Sequence, residues 1–168
     1  MDFIHSHHLG FVYHLECVSP DGEVLWRDRW ENIIPNEGRD YILNAALNGG
    51  PQFSTWYNGL YEGNYAPQAT DTMATFIASS TEITAYSQAS RVVLVDDPLV
   101  GGLFANATTK AEFTFTATKT VRGGFISSGS VKGGTTGVLL SAVLGSSPKT
   151  VGAGEILRVT AGLSLVTL

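Results

Sequence analysis

The chain has 168 residues, of which 43% are hydrophobic and only 15% charged, with a formal net charge of −5. That is the size of one domain with a real core to bury, and 19 Gly, 17 Thr and 14 Ser argue against a helical bundle and for strands joined by turns. The acidic balance argues against nucleic-acid binding, no apolar run reaches membrane-spanning length, and no basic, apolar start leads us to expect a secretory leader.

In chain order, residues 1–9 read as an N-terminal arm that mixes His with apolar side chains and has no period. Residues 10–18 alternate as a strand. Ser19-Pro20-Asp21-Gly22 is a turn, because Pro presets one φ and Gly permits a positive one. Residues 23–33 form the second strand of a hairpin, with Val24, Trp26, Asp28 and Trp30 on one face and Arg27, Arg29 and Glu31 on the other. Pro35 stops that strand, and Asn36 is the expected N-cap of one short inserted helix near residues 36–48. Ile42, Leu43, Ala46 and Leu47 recur there at helical spacing, and Gly49-Gly50 ends the run.

Residues 55–62 predict a short aromatic strand, and Thr70-Asp71 the cap of a helical turn through Met73, Phe76 and Ile77. Residues 83–87 read as extended, and residues 91–95 as a strand stopped by Asp96-Asp97-Pro98. Residues 111–121 alternate as a single strand, with Phe113, Phe115 and Ala117 facing the core and Thr114, Thr116, Thr118 and Thr120 facing out. Residues 122–128 continue or pair with it, and residues 137–144 form another strand. Residues 145–154, with Pro148, read as a turn region, and residues 155–168 as the last strand. The expected fold is all-β and mainly antiparallel: a jelly-roll-like β-sandwich with one inserted helix, as a single domain over residues 10–168 behind the arm.

Motifs for chemistry are weak. His5, His7 and His8 in the arm, with His14 and Glu16 on one strand face, are candidate metal ligands, but Phe11 and Val12 stand where a cupin-type site needs its Glu. No metal and no cofactor is expected. Cys17 closes no intrachain disulfide and has only His14 close in sequence, and no Gly-x-Ser-x-Gly elbow is present. Gly101-Gly102, Gly123-Gly124 and Gly133-Gly134 lack the Lys-Ser/Thr of a phosphate loop. Glu62, Asp71, Glu82, Asp96 and Asp97 could include an acid/base pair, but nothing in their spacing places one. Trp26-Arg27-Asp28-Arg29-Trp30 suits an interface, because Trp and Arg anchor interfaces. The candidate interface residues are Trp26, Arg27, Arg29 and Trp30, with Phe3 and Ile4 from the arm.

A series of short motifs is more specific. It starts with Trp30-Glu31-Asn32-Ile33-Ile34-Pro35-Asn36-Glu37-Gly38-Arg39-Asp40-Tyr41-Ile42-Leu43, then Trp56-Tyr57-Asn58-Gly59-Leu60-Tyr61 and Thr70-Asp71-Thr72-Met73. Glu82-Ile83-Thr84-Ala85-Tyr86, Arg91, Ala105-Asn106 and Val121-Arg122-Gly123-Gly124-Phe125 follow. Gly133-Gly134-Thr135-Thr136-Gly137-Val138-Leu139 and Val151-Gly152-Ala153-Gly154-Glu155-Ile156-Leu157 close it. Over roughly residues 24–168 this series resembles the jelly-roll capsid cement or decoration proteins of tailed bacteriophages.

The resemblance implies a structural protein of the virion rather than an enzyme. It implies synthesis in the host cytoplasm and a place on the capsid exterior, at junctions between major capsid protein subunits, where it holds the shell against internal DNA pressure. Its partners would be the major capsid protein and further copies of itself, as dimer or trimer, with neither nucleic acid nor membrane. Two other readings stand beside it. One is a tail or fibre-adaptor component of the virion. The other is a carbohydrate-binding module using Trp26, Trp30, Trp56 and Tyr57.

Overall fold

Ser19 starts the first hairpin as its pattern requires: Gly22 N–H donates to the Ser19 carbonyl at 2.9 Å, and Gly22 takes φ of 87°. The turn joins β1 (Phe11–Val18) to β2 (Val24–Glu31), which pair antiparallel. The computed structural model describes residues 10–165, so the arm of residues 1–9, with Phe3, Ile4, His5, His7 and His8, lies outside the described residues. Beyond the hairpin come α1 (Asn36–Leu47), β3 (Trp56–Tyr61), α2 (Met73–Ser80), β4 (Val92–Leu94) and β5 (Leu103–Ala105). Then follow β6 (Ala111–Thr114), β7 (Lys119–Ser127), β8 (Leu139–Val151) and β9 (Ile156–Ser164).

The strands form two antiparallel sheets. A five-stranded sheet runs β2-β1-β9-β5, with β6 also on β9, and a four-stranded sheet runs β4-β3-β7-β8. One buried cluster draws on both. Phe11, Tyr13 and Leu15 of β1 and Leu157 and Val159 of β9 meet Leu60 of β3, Ile126 of β7 and Val143 of β8. The period-two burial of β1 and β9 produces this, because every second side chain turns inward. A smaller cluster sits on the other face of the four-stranded sheet, where Phe76 of α2 packs edge-on to Tyr61 and Phe125. Gly59 makes room for it: a Cβ there would stand 2.1 Å from the Phe125 ring.

Five expectations are corrected. First, α1 begins at Asn36, but its N-cap is Pro35 with no side-chain cap bond. Arg39 N–H already donates to the Pro35 carbonyl, and Asn36 N–H is taken by Ala69 O at 2.8 Å. Second, there are two helices among the described residues, not one. The cap of α2 is Thr72 rather than Thr70-Asp71: the Thr72 hydroxyl accepts from Thr75 N–H, and the Thr75 hydroxyl accepts from Thr72 N–H. Asp71 instead accepts from Tyr65 OH and Gln68 N–H.

Third, residues 111–121 are not one strand. β6 belongs to one sheet and β7 to the other: Phe115 N–H still donates to Glu155 O in the β6–β9 register, but the next amide, Thr116 N–H, donates to Ala85 O at 3.0 Å and the chain bends away before β7. Fourth, β8 runs on through the expected turn to Val151. Residues 145–148 stand opposite Arg122 alone, between the pairs Val121–Lys149 and Gly123–Leu144. This wide irregularity needs no ladder N–H at Pro148. Fifth, α1 buries only Gly38, wedged on the Leu139 and Leu140 carbonyls, while Leu43 and Leu47 of its apolar run stay exposed.

Two polar side chains tie distant elements together. Glu37 accepts from Met73 N–H at 2.9 Å and Leu139 N–H at 2.6 Å, joining α1 to α2 and β8. Asn106 is fully buried between β5 and β6; its Oδ1 accepts from Ala161 N–H at 2.7 Å and its Nδ2 donates to Val159 O at 3.1 Å. Its amide thus stands in for a peptide unit and carries the β9 ladder across the gap.

Candidate interaction surface

β2 is an edge strand, and its two faces do different work. On the inward face, Trp30 is buried at 3% exposure, and a Cβ at Gly145 of β8 would stand 2.5 Å from its ring. Its indole N–H donates to Asp28 at 3.0 Å, and Asp28 pairs with Lys149 at 3.2 Å. Trp26 is half-buried and donates its indole N–H to Thr150 O at 3.2 Å. Trp26, Asp28 and Trp30 therefore fasten the edge of one sheet to β8 of the other, which shields an edge that is otherwise open to stray pairing. Of the sequence candidates, Trp30 is thus a core residue and Trp26 sits at the border.

Arg27 and Arg29 are on the outward face, with side chains 68% and 54% exposed. Register puts Arg27 beside Glu16 of β1, Glu16 beside Arg158 of β9, and Arg158 beside Glu112 of β6. The result is a row of alternating charge across four strands. Arg27 Nη2 is 2.7 Å from Glu16 Oε2, Arg158 Nη1 is 3.4 Å from Glu16 Oε1, and Arg158 Nε is 2.8 Å from Glu112 Oε1. Lys110 adds a further cation 3.4 Å from Glu16. The Arg27 hydrogen bond leads the causes that hold the Glu16 carboxyl below the usual carboxylate range, and Glu112 leads those that raise Arg158. Exposed pairs of this kind are each worth about 0–1 kcal/mol, so the row adds little to stability.

Further along the same face the row changes character. Val12, Gly162 and Ala105 lie side by side across β1, β9 and β5. With Gly10, His14, Thr160 and Ser164 they line an open trough of about 430 Å³. The outward face is therefore broad and shallow, charged at one end and small and smooth at the other. Lys110, Glu112 and Arg158 escaped sequence reading, and Glu16, read there as a candidate metal ligand beside His14, is instead part of this charge row. Alternation in β1 and β9 marks the outward positions, but nothing local says that residues 16, 27, 112 and 158 meet.

The other candidate groups are dispersed. Glu62 pairs with Lys119 at 2.9 Å. Glu82 is buried against Arg91. Asp97 accepts from Ala107 and Thr108 N–H. Among the described residues, no three of His, Cys, Asp and Glu come together as metal ligands. Cys17 is buried and lies 3.4 Å from Glu155; burial first, then that carboxylate, pushes the thiol up to about 12. Trp56 packs into a group with Tyr41 and Phe53, ring centroids 5.2–5.7 Å apart. No described helix is long and apolar enough to cross a membrane. No protein-family model matches the chain, and no curated protein matches it.

Proposed function

We propose that the chain is a structural protein of a tailed-bacteriophage virion. It acts as a capsid cement or decoration protein that binds the outer shell at junctions between major capsid protein subunits. The motif series from Trp30 to Leu157 supports this reading, and the observation that carries it is the broad outward face of the five-stranded sheet. A broad face of paired strands, shallow among the described residues, suits a flat protein partner better than a small molecule. Arg27 and Arg29 present side chains there and Trp26 stands at its border; Phe3 and Ile4 of the arm, outside the described residues, would add to this interface.

The finer fold reading is a jelly-roll-like sandwich. The steps from β6 to β7 and from β8 to β9 cross between sheets, and β1 lies beside β9. The hairpins β1–β2 and β7–β8 stay within one sheet, a departure from a fully alternating double Greek key. The proposed mechanism is mechanical. A rigid domain across a subunit seam resists opening, and many copies on one lattice add up through avidity although each contact is weak.

Quantitative mass spectrometry of purified virions tests the reading. The expected result is a ratio to the major capsid protein near one or a simple fraction of it. Shells stripped of the chain should also burst at a lower temperature, and adding the chain back should restore them. A handful of copies per virion would move the protein to the tail. Its absence from virions would end the structural reading.

A further inference from the structure

Two Asn-Gly pairs occur in the chain, Asn48-Gly49 and Asn58-Gly59. Such a pair can react with itself, because Gly carries no side chain to shield its backbone nitrogen or to restrict its turning. When the chain turns about the Asn Cα–C bond, that nitrogen attacks the Asn side-chain carbonyl carbon. A new C–N bond closes a succinimide ring, and the side-chain amide group leaves as ammonia. Water then opens either carbonyl of the ring, giving aspartate or isoaspartate. Water is the sole co-reactant. The motif is the same at both places, so the fold decides which of them reacts.

Asn58 is 1% exposed and sits inside β3, paired with Val92 on one side and Ile126 on the other. Gly59 is pressed against the Phe125 ring. Neither the turn of the chain nor the entry of water is open there. Asn48 is exposed and stands just past α1 as its C-cap. Gly49 takes φ of 68°, and a Cβ there would meet nothing within 4 Å, so this peptide borders open space. Gly49 N–H donates to no backbone group among the described residues, which leaves the attacking nitrogen unengaged. Bonds to the exposed Asn44 hold the turn: Asn48 N–H and Gly50 N–H donate to its carbonyl at 3.1 and 2.9 Å, and Asn48 Nδ2 donates to its Oδ1 at 3.1 Å. Helix ends of this kind open at little cost. We propose that Asn48 is a site of spontaneous deamidation in the folded protein, and that the fold protects Asn58. The product places a carboxylate at the C-terminal end of α1. The helix dipole disfavours negative charge there, and no basic residue in the last turn offsets it. The carboxylate also lacks the N–H that bonded Asn44 Oδ1. Isoaspartate adds a methylene to the backbone and moves Gly50 off the Asn44 carbonyl. Conversion therefore loosens the last turn of α1, which carries the exposed Leu47.

Incubation of the folded full chain at mildly alkaline pH, sampled over days, tests this. Pepsin in acid stops the reaction and cuts at the aromatic residues between the two sites, such as Phe53 and Trp56. By mass spectrometry the peptide with Asn48 should gain the mass difference between OH and NH2, and it should take a methyl label from an isoaspartate methyltransferase. The peptide with Asn58 should stay unchanged. In urea, where the fold protects neither, both should convert at similar rates. Isoelectric focusing of the intact chain should show a new acidic band that is missing in N48Q. Hydrogen exchange at the Asn48 and Gly50 amides should quicken in the converted chain. An Asn48 that stays intact in the folded chain would overturn the proposal. So would an Asn58 that converts there as fast as Asn48, or an acidic band that persists in N48Q. Exchange at Asn48 and Gly50 as slow as before conversion would refute the loosening of α1.

Discussion

Arg91 is fully buried, and so is its partner Glu82, with side chains 0% and 2% exposed. The guanidinium meets the carboxylate with both forks, at 2.9 and 2.7 Å. It also donates to Gly129 O at 2.9 Å and Gly134 O at 2.8 Å, and lies 5.1 Å from the Phe125 ring centroid. Glu82 in turn accepts from Gly133 N–H at 2.8 Å. One ion pair thus pins the Gly/Ser-rich connection between β7 and β8. Arg91→Ala strands a buried carboxylate and two loop carbonyls. Breaking such a pair from one side costs about 3–5 kcal/mol, a large part of the roughly 5–15 kcal/mol that holds a domain. For a domain of this size the melting temperature should fall by roughly 10 °C. Urea unfolding followed by tryptophan fluorescence measures the loss directly. The double variant E82L/R91M should lose less than Arg91→Ala, since it leaves no lone charge. A loss below about 1 kcal/mol for Arg91→Ala, the range of an exposed pair, would refute this reasoning.

Asn106→Ala should cost about 1–3 kcal/mol, because it leaves the Ala161 N–H buried without its partner; hydrogen exchange should quicken first at the Ala161 amide. Gly38→Ala should undock α1, since its Cβ would stand 2.4 Å from the Leu140 carbonyl oxygen; a melting temperature equal to the parent's would show that the helix shifts freely. Cys17 should resist thiol reagents in the native state at neutral pH, given a thiol near 12 and full burial; labelling as fast as in urea would contradict that. Thr108 and then Ala107 hold Asp97 below the ordinary carboxylate value, as Arg27 does Glu16. A lowered folded value means that this stability is fully present above the unfolded pKa, near 4, and is lost as pH falls through the lower folded value. Urea midpoints should therefore hold above about pH 5 and drop below about pH 4, with a shallower drop in D97N and E16Q; variants that track the parent at every pH would remove these carboxylates from the account.

The first hairpin, α1, the core of β3 and the inward face of β9 were legible because each carries its own signal. Ser19-Pro20-Asp21-Gly22 turns the chain without help from elsewhere, and alternation in β1 and β9 selects the buried face before any partner is known. The misread elements are those where a distant group overrules a local pattern. Residues 111–121 alternate throughout, but the distant Ala85 carbonyl takes the Thr116 N–H and the chain bends there, which splits the strand between two sheets. Pro148 reads as a strand breaker, but the irregularity opposite Arg122 spares its missing N–H.

The interaction surface shows the same division. Alternation within β1, β2 and β9 already places Arg27, Glu16 and Arg158 at outward positions of their strands. That they form one row with Glu112 follows from strand order and register alone. Backbone hydrogen bonds are alike for every residue, so no local code names the partner strand. Partners are chosen by the simultaneous burial of Phe11, Tyr13, Leu157 and Val159 against the other sheet, which the folded chain satisfies only as a whole.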